Sequence, residues 1–304
     1  MKKKVIKYAG WAAAALLFLY LYVNAATLPE SIDTFVRGLK ADWAGAFSVA
    51  RDVILAFLWY IEQVLFFIHP FVAVALIAGM TFAATKNIAN SVLFGGMLML
   101  IHAFNYWELM IYTVAMIFAS VVISLIIGIP IGILMAASRR LNMVMQPVLD
   151  TMQTLPSFVY LIPAVMFFAI GKAPGLIATT IYAVPPVMRL TSHAISQVDR
   201  EVREAARAFG ATKWQSIFKV ELPQALPTIM AGINQTTMMA VAMVVTSSLV
   251  GTKGLGQEVL AATNRLEVGR GFISGISIVF VAIIIDRISQ GLIAMANERR
   301  RKGA

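Results

Sequence analysis

The sequence contains few side chains that could do covalent or metal chemistry, and their spacing argues against an enzyme. Cysteine is absent, which excludes disulfides, thiol catalysis and cysteine metal sites. His69, His102 and His193 lie far apart, and neither a HExxH spacing nor a GxxxxGK[ST] phosphate loop occurs. A membrane enzyme would need paired carboxylates or an activated nucleophile, and none is evident. We therefore expect no catalytic residue, no metal and no cofactor in this chain.

The clearest chemical pattern is the charged stretch EVREAARAFGATKWQSIFKVELP, residues 201–223, which interrupts an apolar chain. Apolar residues recur at helical spacing in and just before its first half, which predicts a short helix with one apolar face. They are Val198, Val202, Ala205, Ala206 and Phe209. Gly210 suits the left-handed conformation that ends a helix. Thr212 and Gln215 have the spacing of a capping box, so a second helix is expected to follow.

The second predicted helix carries the remaining aromatic side chains of the stretch. We expect Trp214, Ile217 and Phe218 to share one face, and Pro223 to mark the end of the helix. Five basic and four acidic residues lie between 197 and 221. Two interpretations stay equally open on this pattern: a surface that docks a partner, or an amphipathic helix that rests on lipid headgroups.

The elements around this stretch have the composition of a membrane protein. Hydrophobic residues make up 60% of the chain and charged residues 13%, and the mean hydropathy is +0.80. Apolar runs such as 109–138 and 228–250 exceed the roughly 20 residues that cross a bilayer core. Several runs lack the polar face that a soluble helix needs. The sequence therefore predicts an all-α membrane protein, a polytopic helical bundle.

Eight apolar segments predict transmembrane helices, or seven if the first is cleaved as a signal peptide. They are residues 8–24, 70–85, 87–103, 109–137, 155–170, 174–192, 226–249 and 271–292. A ninth segment, 51–68, carries Glu62, and we expect it to lie at the outer interface as an amphipathic helix. With eight crossings, 18 of the 25 Lys and Arg residues lie on the cytoplasmic side, as the positive-inside rule favours.

This topology divides the chain into predicted parts. Residues 1–50 form an N-terminal anchor helix and an external segment, with a cleaved signal peptide beginning KKKVIK as the alternative for the helix. The interfacial helix 51–68 follows. Residues 70–292 form the transmembrane domain, which includes a cytoplasmic loop at 193–225, and residues 293–304 form a basic cytoplasmic tail. The net charge of +10 is then a consequence of topology, and no nucleic-acid partner is expected.

A family resemblance favours the docking interpretation of the loop. Glu204-Ala205-Ala206, Gly210 and Val220-Glu221-Leu222-Pro223 resemble the EAA signature of bacterial ABC importer permeases, EAA-x3-G-x9-I-x-LP, with valine in place of isoleucine. In that family the loop carries the coupling helix, which fits a cleft on a separate ATPase. The small alanines would allow close approach, and Glu204 would meet a basic group of the partner. The resemblance thus implies ATPase coupling through Glu204, Ala205, Ala206, Gly210, Trp214, Ile217, Phe218, Leu222 and Pro223.

Further motifs resemble permeases for glycine betaine and proline betaine, over about residues 70–292. They are GIPIGI, MQTLPSFVYLIP, AVPPVMRLT, LPTIMAGINQTTMMAVAMVV, GLGQ and IIDRISQ. The resemblance implies the type I ABC importer permease fold and a multi-pass protein of the bacterial inner membrane with a cytoplasmic C-terminus. It also implies a homodimer, two ATPase subunits that bind ATP and Mg, and a separate substrate-binding protein. Relatives for choline, carnitine or trimethylamine oxide share much of this pattern, so these substrates stay open.

Two sets of residues are candidates for the substrate route. Polar side chains at membrane depth usually face a bundle interior or a water path. The candidate translocation path consists of Gln153, Thr154, Pro156, Asn234, Gln235 and Thr236. The candidate outer gate or docking region consists of Gly251, Gly254 and Gly256. Interhelical hydrogen bonds are the alternative role for the polar residues of 234–236.

Three smaller expectations concern the transmembrane helices. Pro185-Pro186 is expected to interrupt a span, because proline removes a backbone donor. Arg189, beside Met188, is expected to snorkel toward the cytoplasmic surface. Asp286 and Arg287 are expected to form an intrahelical or interhelical pair.

An ion-coupled secondary transporter is the alternative from another class. Such a transporter needs carboxylates buried within its spans. Glu108, Asp150 and Asp286 all fall near predicted span ends, and Glu62 lies in the segment assigned to the interface. The sequence therefore favours ATP-driven import over ion coupling.

Overall fold

The computed structural model describes Val23 and residues 26–303, with the side chains of 84–85 and 292–303 left aside. The predicted anchor helix 8–24 therefore lies outside the described residues, except for Val23. The described chain is helical throughout and contains no strand. It divides into two compact units, residues 1–50 and 51–304, which are described separately.

The helices follow one another with short connections. They are α1 (Leu28–Asp42), α2 (Ala44–Phe66), α3 (Pro70–Thr85), α4 (Ile88–Ala103), α5 (Trp107–Ala137), α6 (Arg139–Thr154), α7 (Leu161–Phe168), α8 (Lys172–Ser196), α9 (Arg200–Ala208), α10 (Lys213–Ser216), α11 (Leu222–Ser247), α12 (Leu255–Arg265) and α13 (Val268–Gly303). Short 3₁₀ turns cover Ser157–Tyr160 and Ser248–Val250, and a π-helical turn covers Ile217–Glu221.

Four stretches among the described residues are long and apolar enough to cross a membrane on their own: Ala44–Phe66, Trp107–Ala137, Lys213–Val250 and Val268–Gly291. The α6 helix and the segment Ser157–Phe168 meet these criteria as a pair that is bent by 108°. Shorter apolar helices occupy Pro70–Ala83 and Ile88–Ala103. The predicted polytopic, all-α architecture is confirmed, although fewer helices pass these criteria than the eight crossings predicted.

The α2 helix is longer than the interfacial helix predicted for 51–68. It begins at Ala44 and is long enough to cross a bilayer. Its side chains at Leu58, Ile61 and Glu62 are buried. The placement of this segment at the outer interface stays a prediction.

The α8 helix forms the centre of unit 51–304, where it packs mainly against α5 and α11. Two glycines of the GIPIGI motif make the contact with α5 close. A Cβ on Gly128 would lie 2.4 Å from Cγ1 of Val187, and one on Gly132 would lie 2.7 Å from Cβ of Thr191. Small residues allow membrane helices to approach at backbone distance. These glycines therefore fix how close α5 and α8 can lie.

The prolines affect the helices less than predicted, with one exception. Pro185 and Pro186 are buried within α8, which continues to Ser196 without interruption, so the prediction of a broken span was wrong. The packing of α8 on two neighbours compensates the roughly 3 kcal/mol that a proline costs inside a helix. At Leu155-Pro156 the chain does break, because a residue before proline disfavours the helical conformation.

Candidate functional site

The loop at 193–225 folds as two short helices joined by a tight turn at Gly210. Gly210 has φ +81°, which confirms the predicted left-handed residue. Its N–H donates to the carbonyl of Arg207 at 2.9 Å, and the N–H of Ala211 donates to the carbonyl of Ala206 at 3.1 Å. These two bonds form a Schellman motif, which satisfies the last carbonyls of α9. The turn between the helices is thus fixed by backbone hydrogen bonds.

The capping box that starts the second helix is also confirmed. The hydroxyl of Thr212 accepts from the N–H of Gln215, and the Gln215 side chain accepts from the N–H of Thr212 at 2.9 Å. The ammonium of Lys213 donates to the carbonyl of Ala137, the last residue of α5. A cation at a helix C-terminus is favourable because the last carbonyls carry partial negative charge. This contact ties α10 to the end of α5.

Three aromatic side chains of the loop are exposed. Phe209 is 93% exposed, Trp214 47% and Phe218 52%. The rings of Trp214 and Phe218 stack with centroids 5.9 Å apart and planes inclined by 24°. Exposed apolar side chains within a charged connection between helices are typical of a docking site. We call these three exposed side chains, the stacked pair Trp214 and Phe218 together with Phe209, the aromatic surface of the loop.

The structure does not place Ile217 on the aromatic surface, so the prediction of one shared face was wrong. Ile217 is 3% exposed and packs with Ile133 of α5 and with Ala194 and Ile195 of α8. The wider π turn that starts at Ile217 rotates the following side chains relative to an α-helix. Ile217 is therefore an anchor that attaches the loop to the transmembrane helices.

Pro223 does not end the second helix either. The helical path continues from Lys213 to Val250, and Pro223 lies in the first turn of α11. Proline is tolerated in a first turn, and the preceding π turn replaces the α-helical bonding pattern that its ring would disrupt. Leu222, the first residue of α11, is half-buried.

The residues of the EAA motif form the solvent side of α9. Glu204 and Ala205 are exposed, and Ala206 is half-buried. The Glu204 carboxylate accepts from Nε of Arg200 at 2.6 Å. Both groups are exposed, so this bond is weak and a partner's cation could replace Arg200.

Sequence reasoning missed Glu221, which lies in the motif between Val220 and Leu222. Glu221 is 7% exposed and accepts from the hydroxyl of Ser216 at 2.8 Å, across the π turn. The available signal was its place in the motif, as a charged residue between the apolar Val220 and Leu222. The bond holds the two ends of the π turn together.

The residues of the candidate translocation path fall into two places. Gln153, Thr154 and Pro156 lie at the bend after α6, where Thr154 donates to the carbonyl of Thr151 at 3.2 Å. Nearby, the rings of Tyr160 and Tyr182 pack edge to face with centroids 6.0 Å apart. No hydrogen bond joins this group to residues 234–236 in the described part of the chain.

On α11, the side chain of Asn234 donates to Asp286 of α13 at 3.0 Å, which is the interhelical bond weighed as the alternative. Gln290 also donates to Asp286, at 2.8 Å, so Asp286 is held by two amides and not by Arg287 as expected. Gln235 is exposed, whereas Thr236 is fully buried and its hydroxyl has no hydrogen-bond partner.

Arg189 forms an ion pair between two helices. Met188 is buried, and Arg189 donates to Asp150 of α6 at 2.6 Å. The ion pair joins α8 to α6, and snorkelling of the guanidinium toward the cytoplasmic surface stays a prediction.

The candidate outer gate is a close-packed turn. Gly251 has φ +81° and Gly254 has φ +151°, both accessible mainly to glycine. A Cβ on Gly254 would lie 2.6 Å from the hydroxyl of Thr113, and one on Gly256 would lie 2.7 Å from the hydroxyl of Ser248. The Thr113 hydroxyl accepts from the N–H of Leu255 at 2.9 Å and so caps α12. Thr113 was not predicted, because nothing near it in sequence indicates the contact.

The fold is shared with solved transporters. A chain of the MetNI methionine ABC transporter in an inward-facing conformation aligns with a TM-score of 0.55 and 23% identity, covering 60% of this chain and 92% of that one. A chain of an amino acid ABC transporter aligns with a TM-score of 0.54 and 21% identity, over 66% and 96% of the two chains. The class is therefore a multi-pass membrane protein with the type I ABC importer permease fold.

Sequence comparison gives the family. A protein-family model described as the binding-protein-dependent transport system inner membrane component matches residues 128–302. The glycine betaine/carnitine transport permease protein GbuB of Listeria monocytogenes is 42% identical over 88% of this chain and 96% of its own length. The glycine betaine transport system permease protein OpuAB of Bacillus subtilis is 42% identical over 87% and 94%. The chain belongs to this family of binding-protein-dependent transport permeases.

Proposed function

We propose that this chain is the transmembrane subunit of an ATP-driven importer for a betaine, glycine betaine or proline betaine, in the bacterial inner membrane. The observation that carries the proposal is the loop at 193–225. It combines the EAA motif with a rigid turn, an exposed aromatic surface and an anchor in the transmembrane helices. A connection that only rested on lipid would need none of these contacts.

The geometry supports coupling to a separate ATPase. The aromatic surface offers a hydrophobic contact to the partner. Glu204 offers a negative charge, and the two alanines beside it allow close approach, an EAA edge of the loop. Ile217 and Lys213 transmit any displacement of the aromatic surface to α5 and α8. In this proposal the partner ATPase binds ATP and Mg, while this chain moves with it.

The substrate assignment rests on relatives. Besides GbuB and OpuAB, the glycine betaine/proline betaine permease protein ProW of Escherichia coli is 45% identical over 68% of this chain and 57% of its own length. The paired rings of Tyr160 and Tyr182 lie beside the bend, and aromatic faces attract quaternary ammonium groups. Trimethylamine N-oxide is the second candidate substrate, because the permease protein TmoV of Ruegeria pomeroyi is 35% identical over 75% of this chain.

The remaining parts of the proposal concern assembly. Two copies of this chain pair, each docks one of two ATPase subunits, and an extracytoplasmic binding protein delivers the substrate. The C-terminal tail lies in the cytoplasm.

Reconstitution tests the proposal. The chain is placed in liposomes with its candidate ATPase and binding protein, and uptake of labelled glycine betaine, proline betaine, carnitine, choline and trimethylamine N-oxide is measured with and without ATP. We expect ATP-dependent uptake of the two betaines. Uptake that an uncoupler abolishes while ATP is maintained would contradict the proposal and favour an ion-coupled transporter.

A further inference from the structure

A buried ion pair lies at the end of the bundle that is predicted to face outward. The ammonium of Lys172 donates to both carboxylate oxygens of Glu62, at 2.6 and 2.8 Å. Glu62 is only 6% exposed. The same ammonium lies 4.4 Å from the centroid of the Tyr112 ring, and Phe66 packs edge to face on that ring. Helices α2, α5 and α8 therefore meet at one charged group.

This pair is an unusual choice if its only role is stability. Neighbouring residues of α2, such as Leu58 and Ile61, are apolar and buried, so an apolar residue at position 62 would suit the site. Buried ion pairs are weak contributors to stability, because the desolvation of both charges offsets their attraction. What such a pair supplies is position, since a charge that lost its partner would remain buried and uncompensated, so the two side chains are held together.

Lys172 is also the first residue of α8, where a positive charge is unfavourable because the helix N-terminus carries partial positive charge. The Glu62 carboxylate compensates both the charge of Lys172 and the partial positive charge of the helix N-terminus. It therefore holds the first turn of α8 in place, together with the segment that leads into it.

The segment before Lys172 contacts the candidate outer gate. Residues 169–171 form a link between α7 and α8 with two positive φ angles, +60° at Ala169 and +141° at Gly171. The N–H of Gly171 donates to the carbonyl of Val250 at 2.9 Å, and the hydroxyl of Thr252 lies 3.5 Å from the carbonyl of Gly171. The residue that contacts the 250–254 turn, Gly171, thus directly precedes Lys172 of the ion pair.

We infer that Glu62, acting through Lys172, is a positioning residue for the outer gate. It holds the 169–171 link against the 250–254 turn, and the gate opens when this contact separates. The inference rests on the proposed importer function, and its positioning residue, Glu62, lies upstream of the matched family region, 128–302. It gives α2 a role in transport beyond membrane anchoring.

A disulfide can report the gate contact directly, because the chain has no cysteine. A Cβ on Gly175 would lie 3.4 Å from Cβ of Thr252, close to the 3.5–4.5 Å that a disulfide requires. The full chain carrying Gly175→Cys and Thr252→Cys is reconstituted with its ATPase and binding protein. The rate of cross-linking under mild oxidation is then measured in each Glu62 background.

With Glu62 present we expect rapid cross-linking and a block of uptake that a reductant reverses. Glu62→Gln should slow cross-linking by about fivefold or more, a coupling of ordinary size for linked sites. Exchange of the charges, Glu62→Lys with Lys172→Glu, should restore part of the rate. Glu258→Gln is the matched control, since it removes a bond of 2.8 Å to Arg270 at the same end without touching the link.

If Glu62→Gln fails to fold, Glu62→Gln with Lys172→Met is used, which leaves no unpaired buried charge. Slowed cross-linking in this double variant supports the inference. Cross-linking at the parental rate, or equal slowing by Glu258→Gln, would overturn it and leave the pair a structural contact. Because cross-linking needs no transport, a positive result with no betaine uptake would instead reject the proposed substrate.

Discussion

Gly210→Val is the sharpest test of the coupling loop. The position has φ +81°, and a Cβ added there would meet no atom within 4 Å. Steric clash therefore plays no part, and the cost is local backbone strain. For a residue other than glycine the left-handed conformation costs roughly 1–2 kcal/mol, and a β-branched side chain lies at the upper end. That energy lowers the equilibrium constant between the native turn and other conformations about 5- to 30-fold.

The strain acts on a turn that is fixed by two backbone hydrogen bonds and contributes little to the packing of the bundle. We therefore expect normal abundance in the membrane. In the other conformations the aromatic surface would be displaced from the EAA edge, so substrate-stimulated ATPase activity and uptake should fall, by at most about the same 5- to 30-fold. Both are measured in proteoliposomes with the partner ATPase and binding protein.

Two controls separate strain from bulk. Gly210→Asn should keep most of the activity, because asparagine adopts the left-handed conformation more readily than other residues. Gly96→Val adds the same side chain to α4, at a helical position where a Cβ again meets no atom within 4 Å, and should leave coupling intact. Wild-type coupling in Gly210→Val would refute the reasoning and make the loop a connector that rests on lipid.

Other predictions follow from single contacts. Trp214→Ala should weaken ATPase binding at unchanged stability, measured by co-purification, whereas Ile217→Ala should destabilise the protein by about 2–5 kcal/mol, measured by thermal unfolding in detergent. Gly128→Ala should separate α5 from α8, because its Cβ would lie 2.4 Å from a methyl carbon of α8, and folded protein should be lost on size-exclusion chromatography. Single cysteines at Lys40 and Asn105 should both react with an impermeant thiol reagent in intact cells, and labelling of one alone would contradict the eight-span topology.

Local signals in the sequence predicted the structure of the 193–225 loop as far as Ser216. Glycine at 210 and the Thr212–Gln215 spacing encode their structures within five residues, so no distant contact is needed to interpret them. The course of the chain after Ser216 could not be derived in the same way. The π turn depends on the packing of Ile217 against α5 and α8, and no local pattern records that packing.

The hydrogen-bond partners of the buried polar residues could be predicted even less from the sequence. Hydropathy placed Asn234 at membrane depth, but its bond to Asp286 spans 52 positions in sequence. The Glu62–Lys172 pair spans 110. Composition indicates that a buried polar group needs a partner, and only the fold determines which partner it has.

The helical path from Lys213 to Val250 has a mechanical consequence. At 1.5 Å per residue, its 38 residues extend for roughly 57 Å, so one rod joins the aromatic surface to the turn at Gly251. A tilt of about 3° about one end of a rod of that length displaces the other end by roughly 3 Å, about the length of a hydrogen bond. The π turn lies near the Lys213 end of this rod, where it interrupts the α-helical bonding pattern. Replacing the π turn by a regular α-helical turn is expected to change how far a displacement at the aromatic surface moves the turn at Gly251.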